Sequence, residues 1–265
     1  MKPAPFDYRA PASVNDALPL LGLDSSVLAG GQSLVPLLNL RLARPELVVD
    51  ANGITELDYL HADDGPLRIG AMTRQVSLER SELVRRRWPL LHKAIGFVGH
   101  PQIRSRGTVG GSVAHADPAA ELPAALVALD AVIHLRSAGG ARSVAAGDFF
   151  RGPLYTAREP DELLVEVEVP EQPDGARSGF AEHARTHGDF ATAGAAAVIA
   201  PGGHVAIALL GAGPVPARAN AAERALAGGA EAREAAALAV EGLDGEYRRA
   251  LCAELVRRAI EEAAA

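Results

Sequence analysis

The stretch LAGGQSLVPLLNLRLARPELVVD, residues 28–50, decides how this chain is read. It sets a bare Gly30–Gly31 pair between the short apolar run SVL and a helix-like segment, then returns to the apolar run ELVVD. Pro36 suits the first turn of a helix and Pro45 lies beyond its end. The unit reads as strand, turn, helix and strand, closed by about residue 53. Amides without side chains approach a ligand closely, and consecutive ones in a turn form an anion-binding concavity. A helix start just beyond adds unpaired amides and the positive end of a dipole. The arrangement returns in RGTVGGSVAHADPAAELP, residues 106–123, where Asp117 suits an N-cap and Pro118 the first helical position. A serine follows each glycine pair within two residues, and together the two turns could grip a diphosphate from opposite sides.

The rest of the chain bounds this reading. With 265 residues it can form one large domain or two smaller ones, and 48% hydrophobic with 4% aromatic residues implies a core of Ala, Val and Leu. The net charge of -7, without a dense Lys/Arg block, argues against nucleic acid or an anionic membrane as the primary partner. The weakly polar run at residues 191–213 is broken by Pro201, Gly202, Gly203 and His204, so it reads as two strands and a turn. A membrane span needs about 20 uninterrupted apolar residues. MKPAPFDYRAPAS lacks the apolar core of a signal peptide, so a cytoplasmic protein is expected. Cys252 is the single cysteine, which excludes disulfides and iron–sulfur ligation within the chain.

Reading outward, LRIGAMT is a strand, residues 77–99 hold two helical segments parted near Pro89, and AVIHLRS and ELLVEVEVP are strands. The turn-rich EQPDGARSG marks a boundary near residue 172, so residues 1–172 (subdomains about 1–53 and 54–172) precede a unit at 173–265. That unit opens with GFAEHART, continues as a hairpin and ends in helices beyond Pro216. The class is α+β.

Neither glycine segment carries the lysine of a phosphate loop or a GxGxxG fingerprint, so a Rossmann nicotinamide site is unsupported. The two segments, in this order and separation, and GDFATAGAAAV at 188–198, resemble the flavoprotein medium subunits of the carbon monoxide dehydrogenase and xanthine dehydrogenase family. The resemblance implies an FAD-binding domain of the vanillyl-alcohol-oxidase (PCMH) type, made of two α/β subdomains, with a C-terminal antiparallel sheet-and-helix domain beside the flavin. By motif position it assigns Ala29, Gly30, Gly31, Gln32, Ser33 and Leu34 to one FAD-binding segment and Thr108, Gly110, Gly111 and Ser112 to the other. Glu121 matches a carboxylate that accepts from cofactor hydroxyls, although the helix dipole alone favours an acid there. Leu164 matches an apolar cofactor contact and reads equally as core. Phe190 stands where related chains often carry a tyrosine beside the flavin ring, keeping the stacking surface without the hydroxyl.

Other residues read more plainly. His115 and Asp117 serve a turn and a cap, Arg104 and Arg106 either neutralise phosphate or are solvated, and His183, His187 and Asp189 lack metal-ligand spacing. Attachment of the flavin is expected to be noncovalent; a covalent link would need a His or Cys at the ring, and His100 lies near the second glycine segment. The resemblance implies a [2Fe–2S] small subunit and a molybdopterin-containing large subunit as partners, and an external acceptor such as NAD or a quinone. Two other readings stay open: a free-standing FAD-dependent oxidoreductase with its own substrate, and a non-redox FAD-binding scaffold.

Overall fold

The computed structural model describes residues 2–265. Strand β1 (Asp7–Arg9), helix α1 (Val14–Ala17), β2 (Ser25–Leu28), α2 (Leu34–Asn39) and β3 (Leu47–Asp50) come first. The three strands form a parallel sheet in the order β1-β3-β2, with Val27 opposite Val49 and Tyr8 opposite Val48. The expected strand–turn–helix–strand unit is thus a short parallel crossover. Val48 and Val49 are buried in its core.

A second sheet begins with β4 (Leu60–His61) and β5 (Leu67–Gly70). Six helices follow: α3 (Gln75–Arg80), α4 (Glu82–Arg87), α5 (Pro89–Phe97), α6 (Pro101–Arg106), α7 (Val109–His115) and α8 (Glu121–Ala128). Strands β6 (Val132–Ser137) and β7 (Gly140–Ala145), helix α9 (Ala146–Phe149), the small hairpin β8 (Phe150–Gly152) with β9 (Tyr155–Thr156), and β10 (Leu163–Val169) complete the unit. The five-stranded sheet is antiparallel, in the order β4-β5-β10-β6-β7. Alternation puts Leu67, Ile69, Ile133, Leu135, Val167 and Val169 on a buried face. Arg68, His134, Glu166 and Glu168 take the other face. A bulge between Leu164 and Glu166 interrupts β10.

Three sequence expectations change here. The span read as two helices is three, because Ser81 Oγ accepts from the Val84 amide at 3.3 Å and starts a new helix at Glu82. Helix α6 was not foreseen. Asp117 does not cap α8: its Oδ1 accepts from the Ala119 amide at 2.9 Å in a turn, and the residue before α8 is Ala120.

The third sheet is antiparallel: β11 (Arg177–His183), β12 (Ala193–Ala200), β13 (His204–Leu210) and β14 (Ala217–Arg218), in that order. Helices α10 (Asn220–Ala227), α11 (Ala232–Ala239) and α12 (Glu246–Ala264) cover one face. The other face closes on α5 and α8, whose eight residues are all buried. Ala196, Val198, Ala206 and Ala208 share one apolar cluster with Leu122, Ile133 and Val167. The segment after Val169 therefore separates sheets but not cores. Trp88 Nε1 donates to the Pro170 carbonyl at 2.8 Å, and the Phe97 and Phe180 rings lie 5.3 Å apart across the junction.

Alanine-rich strands let α12 lie close. A Cβ on Gly179 would overlap the carbonyl oxygen of Ala259 and fall 2.8 Å from its carbon, so β11 and α12 touch backbone to backbone. Gly179→Ala is expected to lower stability by about 1–3 kcal/mol, the usual cost of overpacking. Urea unfolding measures this, and an unchanged midpoint would show that α12 can move away freely.

Candidate cofactor site

The two glycine segments meet, but not as equivalent turns. A Cβ on Gly30 would overlap the Arg106 carbonyl oxygen and lie 2.7 Å from Gly107 Cα. Gly31 has φ +73°, a conformation that side chains disfavour. Around them, Asn52 Nδ2 donates to the Ala29 carbonyl at 2.9 Å and Gln32 Nε2 to the Gly30 carbonyl at 2.8 Å. Arg74 donates to the Arg106 carbonyl at 2.5 Å and to Asn52 Oδ1 at 2.7 Å, tying the segments together. The amides of Gly31, Gln32, Ser33 and Leu34 find no acceptor among the described residues. They are available to a ligand.

Gly110 and Gly111, expected in a turn before a helix, lie within the first turn of α7. Its N-terminal amides are already engaged. Val109 donates to the Thr73 carbonyl at 3.0 Å, Gly110 to that of Ala71 at 2.9 Å, and Gly111 to Thr108 Oγ1 at 3.1 Å. A Cβ on Gly110 would stand 2.6 Å from Ala71 Cβ, and one on Gly111 2.6 Å from Thr108 Oγ1 and 3.3 Å from Ala29 Cβ. These glycines serve chain packing. The free amides of the pair belong to the first segment.

All the residues singled out from the sequence as cofactor contacts line one cavity of about 510 Å³: Ala29 to Leu34, Thr108, Gly110, Gly111, Ser112, Glu121, Leu164 and Phe190. Strand β2 and the loop before α2 form one wall, α7 and the start of α8 another. Glu121 opens α8 and is 7% exposed. Burial pushes its carboxyl up to about 7, its own backbone amide opposing and the charge of Asp117 adding to the rise. Burial, then the charge of Glu121, pushes Glu182 up to about 8, and Glu182 Oε2 is enclosed without a hydrogen-bond partner. Leu164, 4% exposed, belongs both to the wall and to the core. Phe190, 73% exposed, stands at the cavity edge.

The remaining candidates separate clearly. Arg104 is buried and grips Glu79 through two bonds of 2.9 and 2.7 Å while also donating to the carbonyls of Val98 and Gly99. It holds a turn. Arg106 is exposed, and its carbonyl rather than its charge fixes the Gly30 contact. The His100 ring packs against Gly188 (φ +88°), a residue of the cavity wall, and stands behind that wall rather than on it. His115 and Asp117 line the cavity. Sequence reading missed Gln75, Arg158 and Glu162 on the same wall. Gln75 is buried with Oε1 unpartnered, and Arg158 donates to the Glu162 carbonyl at 2.7 Å. No motif surrounds them, so nothing short of the tertiary structure marks them.

Both raised carboxyls make folding of the cofactor-free chain take up protons. That stability is fully present below the ordinary carboxylate value and is lost as pH rises through about 7 to 8. Glu121→Gln is expected to gain relative to wild type as pH increases from 5 to 8, on the order of 3 kcal/mol. Thermal melts of both apoproteins across that range test this, and parallel curves would show that Glu121 titrates normally.

Residues 4–172 match the family model described as the FAD binding domain in molybdopterin dehydrogenase. The chain is 40% identical to the 6-hydroxypseudooxynicotine dehydrogenase complex subunit alpha of Paenarthrobacter nicotinovorans, over 99% of this chain and 96% of that one. It is 38% identical to the carbon monoxide dehydrogenase medium chain of Hydrogenophaga pseudoflava, over 99% and 98%. It superposes with a TM-score of 0.95 and 39% identity, covering 99% and 98% of the two chains, on carbon monoxide dehydrogenase from H. pseudoflava lacking the Mo-pyranopterin moiety of its cofactor. Among the described residues, no helix is long and apolar enough to cross a membrane. By sequence and fold, the chain belongs to the family of FAD-binding medium subunits of molybdenum hydroxylases, oxidoreductases of the carbon monoxide dehydrogenase and xanthine dehydrogenase type.

Proposed function

We propose that this chain holds FAD noncovalently in the cavity between its two glycine segments and serves as an electron-transfer subunit. In this role it takes electrons from a [2Fe–2S] partner and delivers them to an external acceptor such as NAD or a quinone. The observation that carries the reading is the donor set of the cavity: four free backbone amides at Gly31–Leu34, and a buried carboxyl, Glu121, that lacks a side-chain partner. A diphosphate satisfies the amides, and hydroxyl donors satisfy the carboxyl and favour its ionised form. When bound, FAD supplies redox chemistry in single or paired electron steps.

The chain's residues then position and shield. The loop amides fix the anion without a net charge that would need a counter-ion. Leu34, Leu37 and Leu164 give an apolar wall that excludes water from the planar part of a ligand. Phe190 offers an aromatic face at the edge. Thr108 and Ser112 carry hydroxyls on the α7 side, where the backbone donors are spent.

Composition supports an electron-donating partner. Cys252 is the only cysteine and lies buried in α12, so the chain cannot hold a cluster by itself. The two curated relatives are named for complexes acting on very different molecules, carbon monoxide and a hydroxylated nicotine derivative, yet their identities to this chain are nearly equal. This supports a subunit that does not select the organic substrate, leaving that task to a molybdopterin-containing large subunit.

The purified chain is expected to be yellow and to release its flavin on acid precipitation; colour retained in the pellet overturns the noncovalent assignment. Gly31→Val, which strains a left-handed residue and crowds the free amides, should lower FAD affinity more than tenfold, and full occupancy would make Gly31 a turn former only. Assayed alone against purines, aldehydes and carbon monoxide, the holoprotein should show little turnover, with activity restored by its iron–sulfur and molybdenum partners. Robust oxidation by the isolated chain would instead identify a self-sufficient oxidoreductase.

A further inference from the structure

Away from the cavity, the solvent side of the five-stranded sheet carries a cluster that the electron-transfer reading does not use. Antiparallel pairing sets Glu166 directly opposite His134, and Glu168 lies two residues along on the same face. His134 Nε2 stands 3.6 Å from Glu166 Oε1 and 3.8 Å from Glu168 Oε2, and the three donor atoms lie within 4.8 Å of one another. We propose that His134, Glu166 and Glu168 form a binding site for a divalent transition-metal ion, zinc by the character of the donors.

Three features of the surroundings support a metal. His134 Nε2 is closed to solvent and has no hydrogen-bond partner, an expensive state for a ring nitrogen unless something else fills its lone pair. Its other nitrogen is held by Ser143 Oγ at 2.8 Å, which fixes the ring with Nε2 aimed at the carboxylates. Tyr59 donates to Glu166 Oε2 at 2.5 Å and leaves Oε1 facing His134. Such outer partners orient metal-binding imidazole and carboxylate groups.

The spacing also fits. A tetrahedral zinc ion with bonds of about 2.0–2.2 Å places its donors about 3.3–3.6 Å apart, so closing the observed gaps takes only small rotations of two glutamate side chains. The fourth position would be taken by water. Arg68 Nη2 lies 3.3 Å from Glu168 Oε2 and competes for it, but its side chain is 54% exposed and can swing away. The ion would clamp β6 to β10 beside the bulge between Leu164 and Glu166.

The rival explanation is a protonated His134 paired with both carboxylates, and metal uptake separates the two. Holoprotein is stripped with a chelator, equilibrated with zinc chloride in excess magnesium, passed through a desalting column and analysed for metal and flavin. Wild type is expected to retain one zinc per chain. His134→Gln and Glu168→Gln should each bind it more than tenfold more weakly, with flavin content and far-UV circular dichroism unchanged. Should His134→Gln lose its fold, the partly exposed Glu168→Gln decides alone. No retained zinc in wild type, or equal retention in a folded variant, overturns the site.

Discussion

Backbone meets backbone where Gly30 lies against Arg106 and Gly107, and that contact sets the geometry of everything around it. Side chains can be exchanged for others of similar volume, but two main chains in contact leave no room for adjustment. The contact fixes the spacing between the parallel three-stranded sheet and the helices of the second unit. Arg74 then ties the Arg106 carbonyl to Asn52, and the Gln75 amide donates to the Gly107 carbonyl at 2.9 Å. A cavity walled by residues from both units follows from this spacing. Its shape is a property of the main chain.

The glycine pattern made much of this legible. A bare glycine pair before a helix, proline beyond the helix end and a β-branched return strand were enough to place the first crossover, and the hairpin at Pro201–Gly203 announced itself by its turn residues. The cofactor contacts read from the sequence lie in the two glycine segments, the strand ELLVEVEVP and, for Phe190, the stretch GDFATAGAAAV. What stayed hidden depended on partners distant in sequence. Whether Gly110 and Gly111 lie in a turn or a helix is decided by Ala71 and Thr73, whose carbonyls take the α7 amides. Gln75 and Arg158 reach the wall by tertiary packing alone. Nor did turn-rich composition at EQPDGARSG reveal that one core runs across it.

The cavity balances charge unevenly. Free amides and Arg158 favour an anion, while Glu121, Asp117 and Glu162 lie on the same wall. Burial holds the Glu121 carboxyl near neutrality in its titration, so its charge depends on what lies before it. Hydroxyl donors would stabilise the charged form, and an apolar contact the neutral one. Glu182 shares this field from strand β11, which makes the third unit an electrostatic neighbour of the site as well as a packing one.

Helix α8 also bears on how the chain is made. Its eight apolar-surrounded residues close against β12 and β13, which emerge from the ribosome some seventy to eighty residues later. At bacterial or eukaryotic elongation rates the nascent chain therefore carries an uncovered helix on the order of ten seconds before its cover exists. The vulnerable species is a partly synthesised protein whose first two sheets can form while the rest of its core waits. Premature termination near the junction would strand that surface permanently, and chaperone capture of nascent chains should concentrate between the completion of β10 and that of β13.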